Sequence, residues 1–165
     1  MSKSIIPEIK TERLTLNSLQ KTDFPYFKEL QTNPKIRLYL GGPVTEDKIE
    51  LKFDCYLSAT PPEYHFAVRV DEKNFAGIIS LGQHHEEPQL EISFQFLSQF
   101  WKRGYAFEAS KAVLSYAQNT LGVPKIVAET QSINATSIRL LEKLGMKPEK
   151  KIIRFGENQT IFSTT

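Results

Sequence analysis

The stretch Trp101-Lys102-Arg103-Gly104-Tyr105-Ala106-Phe107 sets two cations and a single glycine at the head of an amphipathic run. A helix start carries unpaired backbone N–H groups and a partial positive charge. A glycine there removes the Cβ that would hold a phosphate away. The amides of Lys102, Arg103, Gly104, Tyr105, Ala106 and Phe107 therefore form a candidate cradle for a pyrophosphate. Lys102 and Arg103 add charge at its rim, and the small Ala106 lets a ligand lie close. An ordinary strand-to-helix turn would use the same glycine. The Gly-x-x-x-x-Gly-Lys-Ser/Thr spacing of a P-loop is absent, and one glycine does not make a dinucleotide fingerprint.

Elements of the right kind flank this stretch. Before it, residues 89–97 alternate Leu90, Ile92, Phe94 and Phe96 with Glu91, Ser93 and Gln95, which predicts a strand with one apolar face. Residues 64–70 and 75–83 are also rich in β-branched and aromatic residues, so the three predict an antiparallel meander. After it, Ala106, Ala109, Val113, Tyr116 or Ala117, and Leu121 recur at helical spacing. Residues 125–130 form the next strand. Strand, helix and strand in that order predict a crossover and a parallel pair. Asn134 opens a further helix with the stripe Ile138, Leu141 and Leu144, closed by Gly145. A hairpin around 156–158 ends the chain. Near the start, residues 13–19 read as a first strand. Thr22 or Asp23 caps a helix that Pro34 ends, and Thr45 caps a second one.

The chain has 165 residues, 40% of them hydrophobic and 24% charged, which fits one domain, 1–165, with a packed core. A net charge of +2 does not argue for nucleic acid. A single-strand nucleic-acid module built on the aromatic and cationic 101–105 stretch is the weaker reading. The one cysteine, Cys55, excludes a disulfide framework and reads as a buried thiol in a helix. The segment 1–10 lacks the apolar core of a signal peptide, and no apolar run reaches membrane-spanning length. The expectation is a cytoplasmic protein with no membrane or nucleic-acid partner, either monomer or homodimer. His84, His85, Glu86 and Glu87 lie adjacent on one loop, a poor arrangement for wrapping an ion. They read as a solvated turn, and no metal is expected.

The 101–109 segment, Trp-Lys-Arg-Gly-Tyr-Ala-Phe-Glu-Ala, resembles the acetyl-CoA motif of the GNAT superfamily of N-acetyltransferases. Its Trp-x-x-Gly-x-Ala-x-Glu-Ala form is similar to the branch that acetylates ribosomal-protein N-termini, although that branch often has Gly where Lys102 stands. Residues 11–16, 90–101 and 128–146 resemble further motifs of the family, in the expected order. The resemblance implies an α/β (α+β) fold: a mixed, mostly antiparallel, splayed seven-stranded sheet with about four helices on both faces. It implies acetyl-CoA as co-substrate and an amine acceptor, either a small molecule or a peptide N-terminus.

The same resemblance assigns roles. The main-chain N–H of Phe96 or Leu97 would polarise the thioester carbonyl. Glu91 is the first candidate for general base and Glu129 the second, because an alkylamine must lose a proton before it attacks. A tyrosine common in the family as general acid is replaced at the matching position by Leu141. Ser137 is the candidate acid in its place. Asn134 caps its helix and is expected to meet the cofactor arm. The Gly-rich loop 38–48, with Arg37 and Tyr39 beside it, borders the acceptor. A catalytically weak CoA-binding sensor, or an acyltransferase using another acyl donor, remains open at this point.

Overall fold

A computed structural model describes residues 6–165. Residues 1–5, the head of the segment read above as lacking a signal peptide, lie outside the described residues. The chain runs β1 (Ile9–Lys10), β2 (Leu14–Ser18), α1 (Phe24–Thr32), α2 (Glu46–Leu57), β3 (Tyr64–Val70), β4 (Asn74–Gln83) and β5 (Leu90–Phe96). It continues α3 (Tyr105–Ser115), β6 (Ile126–Gln131), α4 (Ala135–Lys143), β7 (Lys147–Arg154) and β8 (Glu157–Ser163). The fold class is as expected. The count of seven strands is corrected to eight: β1 has only two residues, too few to show a period.

One sheet holds every strand, in the order β1-β2-β3-β4-β5-β6-β8-β7. The meander β2–β5 is antiparallel, and β5 meets β6 in parallel. Apolar side chains leave both faces of the sheet, so each face has its own core. On one face Leu16, Phe66, Val68, Ile79, Leu81 and Ile92 pack with Ala109 and Val113 of α3 and Leu141 of α4. On the other, Ala67, Phe75, Ile78 and Leu97 pack with Phe27 and Leu30 of α1 and Ile49 and Phe53 of α2. Burial on this scale supplies most of the stability, at about 25 cal/mol for each Å² of apolar surface removed from water. Among the described residues no helix is long and apolar enough to cross a membrane.

Three expectations about individual residues change. Asp23 does not cap α1 with its side chain. A 3-10 turn, Lys21–Asp23, comes first, and the carboxylate forms a buried fork with Arg69 of β3, both N···O distances 2.8 Å. Thr45 occupies the N-cap of α2 without a side-chain cap bond. Cys55 is exposed, not buried, because it lies off the Ile49, Phe53 and Tyr56 stripe of α2.

Candidate active site

The parallel contact of β5 and β6 lasts two rungs, Leu90 with Ile126 and Glu91 with Val127. Beyond them β5 runs on to Phe96 beside β4, while β6 runs on to Gln131 beside β8. The sheet is split into two arms at this point. The β5 edge that faces the split can be identified atom by atom. His84 N–H donates to Gln89 C=O at one end of the β4–β5 ladder, and Leu97 N–H donates to Ala76 C=O at the other. Antiparallel pairing alternates, so the amides of Glu91, Ser93 and Gln95 bond to β4. Those of Ile92, Phe94 and Phe96 turn toward the split. The expectation for Leu97 is thereby corrected: its amide is already bonded, and Phe96 holds the free one.

Trp101 closes the far end of this edge. Its indole N–H donates to Phe96 C=O at 2.8 Å. The chain then needs a tight reversal to enter α3. Lys102 has φ +63° and Gly104 has φ +81°. The glycine adopts that conformation freely, while the lysine carries strain of about 1 kcal/mol. The first intrahelical bond of α3 is Glu108 N–H to Gly104 C=O, so the amides of residues 105–107 precede it and have no partner in the helix. A Cβ on Gly104 would meet only the tip of Arg13, at 3.2 Å, so the space over these amides is open. Lys102 and Arg103 are exposed beside them. Lys143 of α4 lies 4.3 Å from the centre of the Phe107 ring. Free amides, a glycine turn and surrounding cations fit a pyrophosphate.

The start of α3 is also anchored to β2. Glu108 accepts from Arg13 Nε at 2.7 Å, from Arg13 N–H at 2.9 Å and from the Thr11 hydroxyl. Arg13 donates to Arg103 C=O at 2.8 Å and lies 4.5 Å over the Tyr105 ring. These contacts with Arg13 and Thr11 hold the Glu108 carboxyl below its ordinary range, although burial acts the other way. Two motifs more than ninety residues apart thus lock the turn.

At the other side of the split, Asn134 caps α4, its Oδ1 accepting the Ser137 N–H at 3.2 Å. The Ser137 side chain is half-buried. Leu141 is 1% exposed and belongs to the core, so no acid stands at that position.

Glu91, Ser93 and Gln95 point to the α1/α2 face, opposite to Ile92. Glu91 occupies the last paired rung, where the split begins. It accepts the Glu129 N–H at 3.3 Å. Burial pushes its carboxyl above the ordinary carboxylate range, and the Glu129 carboxylate pushes the same way. His84 and the Glu129 amide oppose them. The expected solvated turn at His84 is corrected: His84 is 3% exposed. Its Nδ1 accepts from the backbone of Glu86 and Glu87, at 3.1 and 2.9 Å, so Nε2 is the protonated nitrogen. Nε2 donates to Glu129 at 2.7 Å, and Arg154 Nε donates to the other oxygen of Glu129 at 2.7 Å. Glu129, the second candidate base, is therefore held by an ion pair with Arg154 and a hydrogen bond from His84. Among the described residues no group of three or more ligating side chains could hold a metal ion.

Further along the same face lies a set of polar residues, of which the sequence reading placed only Arg37 and Tyr39 at the acceptor. Gln95 Oε1 accepts from Gln31 Nε2 at 3.3 Å, and Gln31 Oε1 accepts from Lys52 Nζ at 2.8 Å. Tyr56 stacks on His65 with ring centroids 3.8 Å apart. Tyr56, Ile78, Ser80, Ser93, Phe94 and Gln95 line a recess. Arg37 folds back on its own loop, donating to Gly42 C=O at 2.9 Å and Leu40 C=O at 2.7 Å. Tyr39 C=O accepts from Gln131 of β6 at 3.3 Å, so this loop reaches across the split. A signal for these residues was present: Lys52 interrupts the Ile49, Phe53, Tyr56 stripe, and Gln31 follows Phe27 at i+4.

Known proteins share this architecture. An acetyltransferase of the GNAT family from Bacillus anthracis superposes with a TM-score of 0.83 at 25% identity, over 95% of this chain and 97% of that one. A spermidine N-acetyltransferase from Vibrio cholerae, solved in complex with CoA and spermine, has the same fold. Its TM-score is 0.81 at 20% identity, over 93% of this chain and 95% of that one. An uncharacterized N-acetyltransferase of Bacillus subtilis, YoaA, is 34% identical over 97% of this chain and 94% of its own length. Residues 13–147 match the acetyltransferase (GNAT) domain, and the chain belongs to that family, whose members transfer an acetyl group from acetyl-CoA to an amine.

Proposed function

We propose that the chain, acting as one acetyltransferase domain, passes the acetyl group directly to a primary amine within a ternary complex. The acceptor is a protein N-terminus or a small amine. The short β5–β6 contact carries this reading, because it leaves an unpaired strand edge that leads to the free amides of α3. Acetyl-CoA supplies an acyl group already activated as a thioester. The chain's own part is to hold, orient and move protons. Amides 102–107, with Lys102 and Arg103, hold the pyrophosphate. The Phe96 N–H turns to the side where the thioester oxygen gains charge, and a donor aimed there is worth about 3 kcal/mol. Glu91 takes the amine proton through water, since Phe96 stands five residues further along the strand, and burial raises its carboxyl in the direction a base needs. Asn134 meets the cofactor arm while it caps α4, and Ser137 returns a proton to the departing thiolate. Direct transfer needs no nucleophile of the protein, and Cys55 stands exposed on α2. The Trp101, Gly104, Ala106, Glu108 and Ala109 pattern supports a place beside the ribosomal-protein N-terminal acetyltransferases.

The test is calorimetric titration of acetyl-CoA against wild type and Gly104→Trp. The indole would cover the cradle in a left-handed backbone position, so affinity should fall by about 100-fold or more, with helix content retained by circular dichroism. Equal binding by both forms, or none by wild type, defeats the assignment.

A further inference from the structure

Glu91 and Glu129 place acid where the split begins. Toward α2 the same face carries two cations, Lys52 and Arg37, with no acid paired to either among the described residues, while the Glu63 carboxylate acts on Tyr56. Lys52 Nζ has one protein partner, the neutral Gln31 amide. Among the described residues the guanidinium of Arg37, itself 9% exposed, donates only to the carbonyls of Leu40 and Gly42 and to Gln31 Oε1, which it shares with Lys52. Neither is in an ion pair among the described residues. Lys52 is held down to about 8 by burial first and by the charge of Arg37 second, and no carboxylate acts against that. Tyr56, whose phenol lies within the field of Arg37, contributes a third donor.

Two neighbouring cations withdrawn from water without a counter-ion are unfavourable. Asp23 shows what the fold does when it needs a buried cation for structure, since it pairs with Arg69 through two bonds. At Lys52 and Arg37 the matching anion is not part of the chain. The set is joined to the reaction side of the sheet, because Gln31 links Lys52 to Gln95 on the strand whose free edge faces the split.

We infer that the acceptor amine also bears a carboxylate, which Lys52, Arg37 and Tyr56 receive while the amine faces Glu91. This rests on the acetyltransferase reading and narrows its acceptor. The face then has a direction: acid on the side to which the amine's proton leaves, cation where the acceptor's other end lies. The amine reaches the thioester beside Phe96, one residue from Gln95, and Lys52 lies one glutamine beyond Gln95, so a carbon chain of several bonds spans the two groups of the acceptor. A polycation would put a second ammonium against Lys52.

Matched carbon chains test this. Transfer from acetyl-CoA is measured on 4-aminobutyrate, 6-aminohexanoate and 8-aminooctanoate, beside the alkylamine and the diamine of each length. One of the amino acids should exceed its diamine in kcat/KM by about tenfold or more, a difference of about 1.4 kcal/mol. Lys52→Met should reduce that ratio to within about twofold, while Lys52→Arg keeps it. Diamines used as well as or better than amino acids overturn the inference, and so does a preference that survives Lys52→Met. If no amine is acetylated, calorimetry of the same compounds against the protein saturated with CoA decides, and absence of amino-acid binding overturns it. Absence of acetyl-CoA binding is a different result, which removes the acetyltransferase reading itself.

Discussion

The two faces of the sheet make their sites from different materials. On the α3/α4 face the proposed donor seat is main chain: amides at a helix start, a glycine turn and a strand edge, with side chains such as Arg13 and Glu108 serving as braces. On the α1/α2 face the proposed acceptor side is made of side chains from four elements or loops: Gln31, Arg37, Lys52 and Tyr56, Glu91 and Gln95. Main-chain sites recognise what is constant, here a cofactor. Side-chain sites recognise what varies, here an amine. Residues on the acceptor side can change without touching the donor seat, provided the core between them is kept.

The sharpest way to break this division is Glu91→Gln. If the acceptor side does the proton chemistry, kcat/KM at neutral pH falls by about 100-fold or more while acetyl-CoA affinity stays within about twofold. The wild-type profile should rise with pH through a value above the ordinary carboxylate range, because burial raises the Glu91 carboxyl. In the variant that rise is replaced by one near the pKa of the amine. An unchanged pH profile removes Glu91 from the mechanism.

A second measurement concerns stability on the acceptor side. Burial holds the His65 imidazole down to about 4. The unfolded chain therefore binds a proton that the folded one refuses between about pH 6.5 and 4. The stability His65 contributes is present above 6.5 and lost as pH falls through this window. With partial exposure allowed for, the loss is about 2 kcal/mol. Denaturant unfolding at pH 7 and 4.5 should show His65→Phe losing that much less than wild type, and equal losses would refute it.

The donor side offers two smaller tests. Glu108→Ala removes the acceptor that anchors Arg13 and Thr11, so the turn loosens and acetyl-CoA affinity should fall by about tenfold, with kcat for saturating donor less affected. If affinity is unchanged, the brace does not position the seat. Lys102→Gly relieves a left-handed lysine. It should raise unfolding free energy by about 0.5 kcal/mol, and affinity should fall slightly as a rim charge is lost. A drop in stability would show that Lys102 is not strained.

Much of the donor side was legible because it depends on local rules. Alternation in residues 89–97 predicted β5, Asn134 predicted the start of α4, and Gly104 predicted the turn before α3. Lys102 stands where glycine is common in the resembled branch, and its positive φ explains why. Leu97 was misassigned because one residue of register decides which amides bond to β4. That register is set by pairing with a distant strand. His84 looked like a solvated turn since nothing within its own loop reveals Glu129, forty-five residues on.

The sequence by itself determined the order of elements, the apolar faces and the anion-ready helix start, since each follows from the chain's nearest few residues. Tertiary structure alone decided that β5 and β6 part after two rungs, that Glu108 anchors Arg13, and that Lys52 and Arg37 lie together without a paired acid. Those facts depend on which distant residues end up adjacent and dry. Burial and counter-charge belong to the packed whole, and no local pattern carries them.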